Sequence, residues 1–146
     1  MISSEPPENA TSGNYRNFIS VEVTRENGQK NIISGSVFGS TPYIVGIDRR
    51  YDFFAFKPDS NYVLTFRNED VPGSLVRALD LLHSTGVNIG NINIVRASGA
   101  GAGGAEDGRV PRALTFMSLD NDVPPLVMNK LKLLDEYQDV VKIQLI

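Results

Sequence analysis

Residues 61–97 read NYVLTFRNEDVPGSLVRALDLLHSTGVNIGNINIVRA and contain three structural patterns in succession. Tyr62 to Phe66 is rich in the β-branched and aromatic residues that favour a strand. Leucines then recur at helical spacing until Gly86, which predicts an amphipathic helix closed by a glycine cap. A second strand is predicted from Val87 to Ala97. The segment therefore predicts the order strand, helix, strand.

The chain beyond this segment adds a strand, a helix and a final strand. Arg112 to Leu119 has strand character, Asn121 and Asp122 can cap a helix with regularly spaced leucines, and Val140 to Ile146 ends the chain as a strand. The resulting order, β-α-β-β-α-β, predicts a four-stranded antiparallel sheet with both helices on one face. We therefore expect a ferredoxin-like domain over residues 61–146, whose second sheet face needs a cover.

Residues 17–58 have the pattern of short antiparallel strands. Apolar and polar residues alternate from Ile19 to Thr24, and the pair Asn27-Gly28 predicts a hairpin. A two-residue loop would pair Val23 with Ile32. A three-residue loop that includes Gln29 would pair Val23 with Ile33, and the match of apolar positions favours this second register.

Two more strands are predicted in this region, Tyr43 to Ile47 and Tyr51 to Phe56, which completes an antiparallel β-meander. The run Lys57 to Ser60 then breaks the pattern and marks a boundary between domains. Residues 1–16 are rich in Pro, Ser, Asn and Glu, so they are expected to form a flexible arm. The fold class is α+β, a meander followed by the ferredoxin-like domain.

Composition excludes several classes of protein. The 146 residues include no Cys and the single histidine His83, which excludes a disulfide framework, a thiol nucleophile, an iron–sulfur cluster and a His-rich metal site. A net charge of -3 gives no basic field for nucleic acid, so we expect no nucleic-acid partner. Because no run of about 18 apolar residues occurs, we expect no membrane span and a cytoplasmic protein, or an organellar one if a transit segment was removed.

A glycine-rich run lies between two predicted strands. Gly99 to Gly104 literally satisfies GxGxxG, the pattern of a dinucleotide-binding loop. Such a loop opens a helix whose N-terminal N–H groups face the pyrophosphate, but here a strand follows. The run is therefore interpreted as a hairpin loop, and no cofactor is expected on this chain.

The segment from Arg67 to Gly73 joins the end of a strand to the start of a helix. Pro72 suits a first helical position and Asp70 suits a cap, so free N–H groups would form a mouth for a carboxylate. Asp70 and Asn88 would supply oxygens that accept hydrogen bonds from an ammonium group. Together these groups predict a site for a small amino acid, whereas the simpler interpretation is that Asp70 only caps the helix.

A second candidate site consists of cationic residues near the end of the meander. Arg49 and Arg50 occupy a turn between two predicted strands, with Lys57 nearby. They predict either a small anion site or an ordinary solvated turn.

Two groups of motifs resemble a known family. Arg67 to Gly73 followed by Gly86 to Asn91 resembles the "NxDxPG … GxNIxxM" signature of an ACT domain. Ser34 to Gly39, with the following run Pro42 to Asp48, resembles the "GTVFG…PxIVxIDG" stretch that precedes that domain in D-3-phosphoglycerate dehydrogenases, within their intervening allosteric substrate-binding domain. Residues 18–146 are thus similar to the C-terminal regulatory region of that family.

The resemblance implies a non-catalytic region that senses L-serine, or another small amino acid, for feedback inhibition of serine biosynthesis. The family's catalytic domains, which bind NAD, would precede this region and be its partners. ACT domains of the family pair side by side into one sheet and bind serine at the interface, which implies a homodimer here. The implied ligand contacts are Asp70 for the ammonium, Asn88 across the interface, the backbone of Val71, Pro72 and Gly73 for the carboxylate, and Asn68 for the hydroxyl.

The resemblance also implies an incomplete intervening domain at residues 17–58. Its sheet would then be partly uncovered, exposing Phe53, Phe54 or Phe56 and favouring self-association. Two alternatives stay open, an ACT module that assembles without a ligand and the β-type subunit of an iron–sulfur L-serine dehydratase. The run Val37-Phe38-Gly39 favours the dehydrogenase over the dehydratase.

Overall fold

The computed structural model of the chain describes residues 2–3, 17–48, 51, 54–96 and 110–145. The chain divides into two compact units, Met1–Pro58 and Asp59–Ile146. The first holds an antiparallel meander and the second a β-α-β-β-α-β arrangement, so the predicted α+β class is confirmed.

Among the described residues, the sheet of the first unit contains four antiparallel strands that neighbour one another in chain order. They are β1 (Ile2–Ser3), β2 (Phe18–Thr24), β3 (Lys30–Phe38) and β4 (Thr41–Ile47). The short β1 pairs with β2, so residues 2–3 belong to the sheet and not to an arm. The rest of the predicted arm, residues 4–16, lies outside the described residues.

The hairpin between β2 and β3 forms where Asn27-Gly28 predicts it, but neither predicted register is correct. Val23 pairs with Asn31, and Val21 pairs with Ile33. Gly28 has a φ of 81° and donates to the carbonyl of Arg25, so it takes the last, left-handed position of a three-residue loop. With the glycine at this position, the loop begins one residue earlier in the chain than the predicted three-residue loop.

The predicted fourth strand, Tyr51 to Phe56, does not form among the described residues. Tyr51 and Phe56 each make a single bridge, to Ile47 and Ile44 respectively. Phe56 is fully buried and Phe54 is half-buried, so the prediction that Phe56 is exposed is wrong, while Phe53 lies outside the described residues.

The exposed apolar surface of the first unit lies on its sheet instead. Strand alternation and register put alternate residues of β2 and β3 on one face. Four of them are 39–56% exposed: Ile19, Val23, Ile33 and Val37. Within the described residues of this unit, no second layer packs tightly against this face.

The second unit has the predicted ferredoxin-like topology. Its elements are β5 (Tyr62–Glu69), α1 (Val76–His83), β6 (Ile89–Arg96), β7 (Arg112–Leu119), α2 (Pro125–Leu133) and β8 (Tyr137–Gln144). The strand order is β6-β7-β5-β8, with every neighbouring pair antiparallel. The last strand therefore begins before the predicted Val140. The glycine-rich residues 98–108 lie outside the described residues.

One hydrophobic core fills the space between this sheet and both helices. Phe66 of β5 and Met117 of β7 point to the same face, where they cluster with Leu82 of α1 and Leu131 of α2. All four side chains are completely inaccessible to solvent. The prediction of two helices on one sheet face is thus confirmed. Neither helix is long and apolar enough to cross a bilayer, as judged over the described residues.

The start of each helix differs from prediction. Helix α1 begins after Leu75 with no side-chain cap, because Gly73 has a φ of 80° and the chain turns there before the helix can begin. Pro72 is therefore not a first helical residue, and Asp70 is not a cap. Helix α2 likewise starts after Pro124 rather than at Asn121 and Asp122. The predicted glycine cap at Gly86 is confirmed by its φ of 70°.

Candidate functional site

Asp70 follows the last residue of β5 and forms an ion pair with Arg96, the last residue of β6. The guanidinium Nε and Nη2 lie 2.6 and 3.2 Å from the two carboxylate oxygens. The hydrogen bond and the charge of Asp70 both raise the pKa of Arg96 above its ordinary value. The backbone N–H of Asp70 donates to the carbonyl of Pro111 at 2.8 Å, which holds the residue at this end of the sheet. The carboxylate is thus presented to an exposed cation instead of to the helix start.

The turn from Val71 to Gly73 lies beside Asp70 and is exposed. Within the described residues, the N–H groups of Val71 and Gly73 donate to no protein acceptor, and Pro72 has no N–H. The carbonyls of Val71 and Gly73 accept from Ser74 and Val76, which fixes the turn. Two free donors next to a carboxylate are suited to a ligand that carries both charges.

Asn68 lies in the core beneath this turn. It is only 2% exposed, and its Nδ2 donates to the carbonyl of Glu69 and to Ser74 Oγ at 2.9 and 3.0 Å. Its Oδ1 accepts from the hydroxyl of Thr115 at 2.7 Å. The structure therefore places Asn68 where it holds the turn from below, with its amide already paired inside the chain.

Tyr137 fixes the turn from a second side. Its hydroxyl donates to the carbonyl of Ser74 at 2.6 Å and accepts from the N–H of Ala78 at 3.1 Å. Burial raises the pKa of Tyr137 to about 12, because the ionised phenolate would lose its hydration. Its ring also packs against Phe66, with ring centroids 5.0 Å apart. The loop that carries Asp70 is thus tied to the core through buried hydrogen bonds.

Asn88 lies at the opposite end of the sheet. Its Nδ2 donates to the carboxylate of Asp120 at 2.5 Å, and its N–H donates to Asn121 Oδ1 at 3.3 Å. At roughly 3.3 Å per residue, the length of β6 separates Asn88 from the end that carries Asp70 by about 23 Å. A single chain therefore does not bring the two predicted ligand residues together.

Asn88 and Arg96, the partner of Asp70, flank one edge of the sheet, since β6 has a neighbour only on its β7 side among the described strands. Ile92 and Ile94 of β6 are 38% and 53% exposed. Exposed edge strands with few charges are templates for pairing with another strand. Arg96, at the end of β6, is the only charged residue of this strand.

The remaining sequence-based candidates are the cationic residues near the end of the meander and His83. Arg49 and Arg50 lie outside the described residues, and Lys57 is exposed. His83 is exposed in the last turn of α1. Over the described ranges, no group of three or more His, Asp or Glu side chains is placed to hold a metal ion.

Two features were not found by sequence reasoning. Arg96 is one, because only the pairing of β6 with β7 brings it to the end of β5. The other is an open, mainly apolar groove of about 480 Å³ between α1 and α2, lined by Arg77, Asp80, Leu81, Lys130, Leu133 and Leu134. The exposed Leu133 near the end of α2 is a sequence signal for such a surface, since helix termini are usually polar.

Comparison of the sequence with models of protein families and with curated protein sequences finds no match.

Proposed function

We propose that this chain is the non-catalytic regulatory and assembly region of an NAD-dependent D-3-phosphoglycerate dehydrogenase, which binds L-serine between two copies of its second unit. The observation that carries the proposal is that Asn88 lies at one end of the edge strand β6 and Asp70 is held at the other end by its ion pair with Arg96. The family resemblance supplies the ligand and the catalytic partner domains.

Antiparallel pairing of two β6 strands would bring the required groups together. A two-fold axis near Ile92 would set the partner's Asn88 beside Arg96, and hence beside Asp70. Because the operation is symmetric, the dimer would contain two equivalent sites. Ile92 and Ile94 would lose exposed apolar surface in the same step, which favours the pairing.

Each site offers the groups that a zwitterion needs. The Asp70 carboxylate would accept from the ammonium, and the N–H groups of Val71 and Gly73 would donate to the carboxylate. Asn88 uses its Nδ2 on Asp120, so its Oδ1 is the atom that would accept from the ligand. The ligand would therefore be held by both copies and would favour the paired state.

Such a ligand regulates an attached enzyme through its different affinities for the paired and unpaired arrangements. No residue of this chain needs to contact the substrate of the enzyme. Asn68 and Tyr137 would act indirectly, since they hold the turn that carries Asp70.

Isothermal titration calorimetry of the full chain with L-serine tests this proposal. We expect binding that is lost in Asp70→Ala and in Asn88→Ala, and that is accompanied by dimer formation in sedimentation experiments. Asp135→Asn is the matched control, because Asp135 is an exposed acid at the same end of the sheet beside the other edge strand, β8. Absence of heat at millimolar L-serine with a folded chain would refute the proposal.

The exposed apolar side chains of β6 favour a second candidate, an assembly module that pairs without a ligand. This candidate predicts a dimer in sedimentation experiments whose stability is unchanged by L-serine and by Asp70→Ala. Ile94→Lys would weaken the dimer under both proposals, so the response to serine is the measurement that separates them.

A further inference from the structure

The ion pair between Asp70 and Arg96 joins the end of β5 to the end of the edge strand β6, where the proposed ligand would bind. The Arg96 side chain is 78% exposed, whereas the Asp70 side chain is 21% exposed. The Asp70 side chain is thus held against the protein, whereas the long, flexible Arg96 side chain extends into solvent.

This pair has the charges of an α-amino acid in reverse. An α-amino acid carries its ammonium and carboxylate on the same carbon, so the two charges lie within a few ångströms of each other. The carboxylate of Asp70 can pair with the ligand's ammonium. The planar guanidinium of Arg96 can pair with the ligand's carboxylate through two parallel N–H groups. A zwitterion inserted between the two side chains would leave every charge paired.

Opening the pair costs little. When the pair opens, water solvates the exposed Arg96 guanidinium and its side chain regains rotamer freedom, while the ligand's ammonium replaces it at the less exposed Asp70 carboxylate. Arg96 lies at the end of β6, so a rotation of its side chain leaves the hydrogen bonds of the strand unchanged. The neighbouring Arg112 is less free, since it donates to the carbonyl of Glu136 and approaches Glu69 at 3.8 Å.

We propose that Arg96 is a specificity-determining residue that leaves Asp70 when the ligand binds and takes the α-carboxylate of the amino acid. This inference rests on the proposed function and names the ligand class more narrowly. The site selects molecules with a free ammonium and a free carboxylate on one carbon. Amines that lack the carboxylate would have to separate Asp70 from Arg96 without a replacement partner for the guanidinium.

The proposal is tested by calorimetry on the full chain with two ligands, L-serine and L-serinamide, in which the carboxylate is a neutral amide. We expect Arg96→Gln to weaken L-serine binding at least tenfold and to leave L-serinamide binding no weaker than in the unmodified chain. Arg96→Lys keeps the positive charge but loses the two parallel N–H donors of the guanidinium, so it is expected to bind L-serine with intermediate affinity. Arg67→Gln is the control, because Arg67 also pairs with an acid, Asp139, on the same sheet but away from β6.

The outcomes separate this inference from the proposed function. If L-serine binds the unmodified chain and Arg96→Gln with equal affinity, the role of Arg96 is refuted while the serine site stands. Tighter L-serine binding by Arg96→Gln would also refute it, because Arg96 would then only compete for Asp70. If the unmodified chain binds no L-serine, both proposals fail together.

Discussion

The two units of the molecule differ in how their sheets are covered. In Asp59–Ile146, two helices cover one sheet face, and Phe66, Leu82 and Leu131 are completely buried. In Met1–Pro58, Ile19 and Val23 lie on a sheet face with 51% and 56% of their surface exposed. Stable domains usually bury an apolar face under a second layer. Alternating apolar residues therefore predict a strand in both units but do not tell whether the chain itself provides the cover.

The largest expected effect comes from breaking the covered core. Phe66→Ala removes a fully buried ring between sheet and helices and should lower the free energy of unfolding by about 3–5 kcal/mol. Ile33→Ala, on the exposed face of the first unit, should cost less than about 1 kcal/mol. Urea denaturation followed by hydrogen exchange measures both, since exchange assigns the loss of protection to one unit. An equal decrease in the free energy of unfolding for both variants would contradict the claim that the two sheet faces differ in how well they are covered.

A smaller effect is expected from the buried hydroxyl of Tyr137. Tyr137→Phe leaves the carbonyl of Ser74 and the N–H of Ala78 without their partner, so it should cost about 1–3 kcal/mol at pH 7. Tyr43→Phe in the first unit is the matched control, because no hydrogen bond of the Tyr43 hydroxyl is present among the described residues. It should change the free energy of unfolding by less than about 0.5 kcal/mol.

The pH dependence sharpens this contrast. Folding raises the pKa of Tyr137 from 10.0 to about 12, so the folded state retains a proton that the unfolded state loses between these values. The stabilising contribution of the hydroxyl is complete below pH 10 and is lost as the pH rises to 12. The difference in unfolding free energy between the unmodified chain and Tyr137→Phe should therefore shrink over that interval. A constant difference would show that ionisation of Tyr137 is not linked to folding.

Most elements were predictable because hydrophobic periodicity is local, whereas β1 was missed and the strand predicted from Tyr51 to Phe56 does not form among the described residues. The alternation in β2 and the helical spacing in α1 each depend on neighbouring residues, and both elements form. Details that depend on backbone conformation were not predictable with the same rules. Gly28 and Gly73 both take a positive φ, and each moves an element boundary, the first by setting the hairpin register and the second by delaying the helix.

The residue types of the candidate site were predictable, but the hydrogen bonds and ion pairs between them were not. Asp70 and Asn88 could be selected by residue type and by position at element ends. The burial of Asn68 and the pairing of Asp70 with Arg96 both depend on sheet register, since Thr115 and Arg96 are distant in sequence from their partners. No local pattern contains that information, because a shift of register changes which side chains meet.

The smallest effect compares two aspartates with left-handed backbones, Asp48 in the first unit and Asp139 in the second, with φ of 53° and 51°. Glycine relieves the conformational cost at both positions but loses a different interaction at each. Asp48 Oδ1 accepts from the N–H of Ile32 at 2.8 Å, a bond whose loss costs about 0.5–1.5 kcal/mol. Asp139, which is exposed, pairs with the half-buried Arg67, and such a surface pair contributes about 0–1 kcal/mol.

Asp48→Gly should therefore lower the free energy of unfolding by about 0.5–1 kcal/mol more than Asp139→Gly does, as measured by urea denaturation, because a backbone N–H loses its acceptor only in the first unit. Asparagine tolerates the left-handed conformation and keeps an acceptor oxygen, so Asp48→Asn should recover most of that difference. If Asp139→Gly proves the more destabilising variant, the exposed ion pair contributes more to the helix-covered unit than its exposure implies.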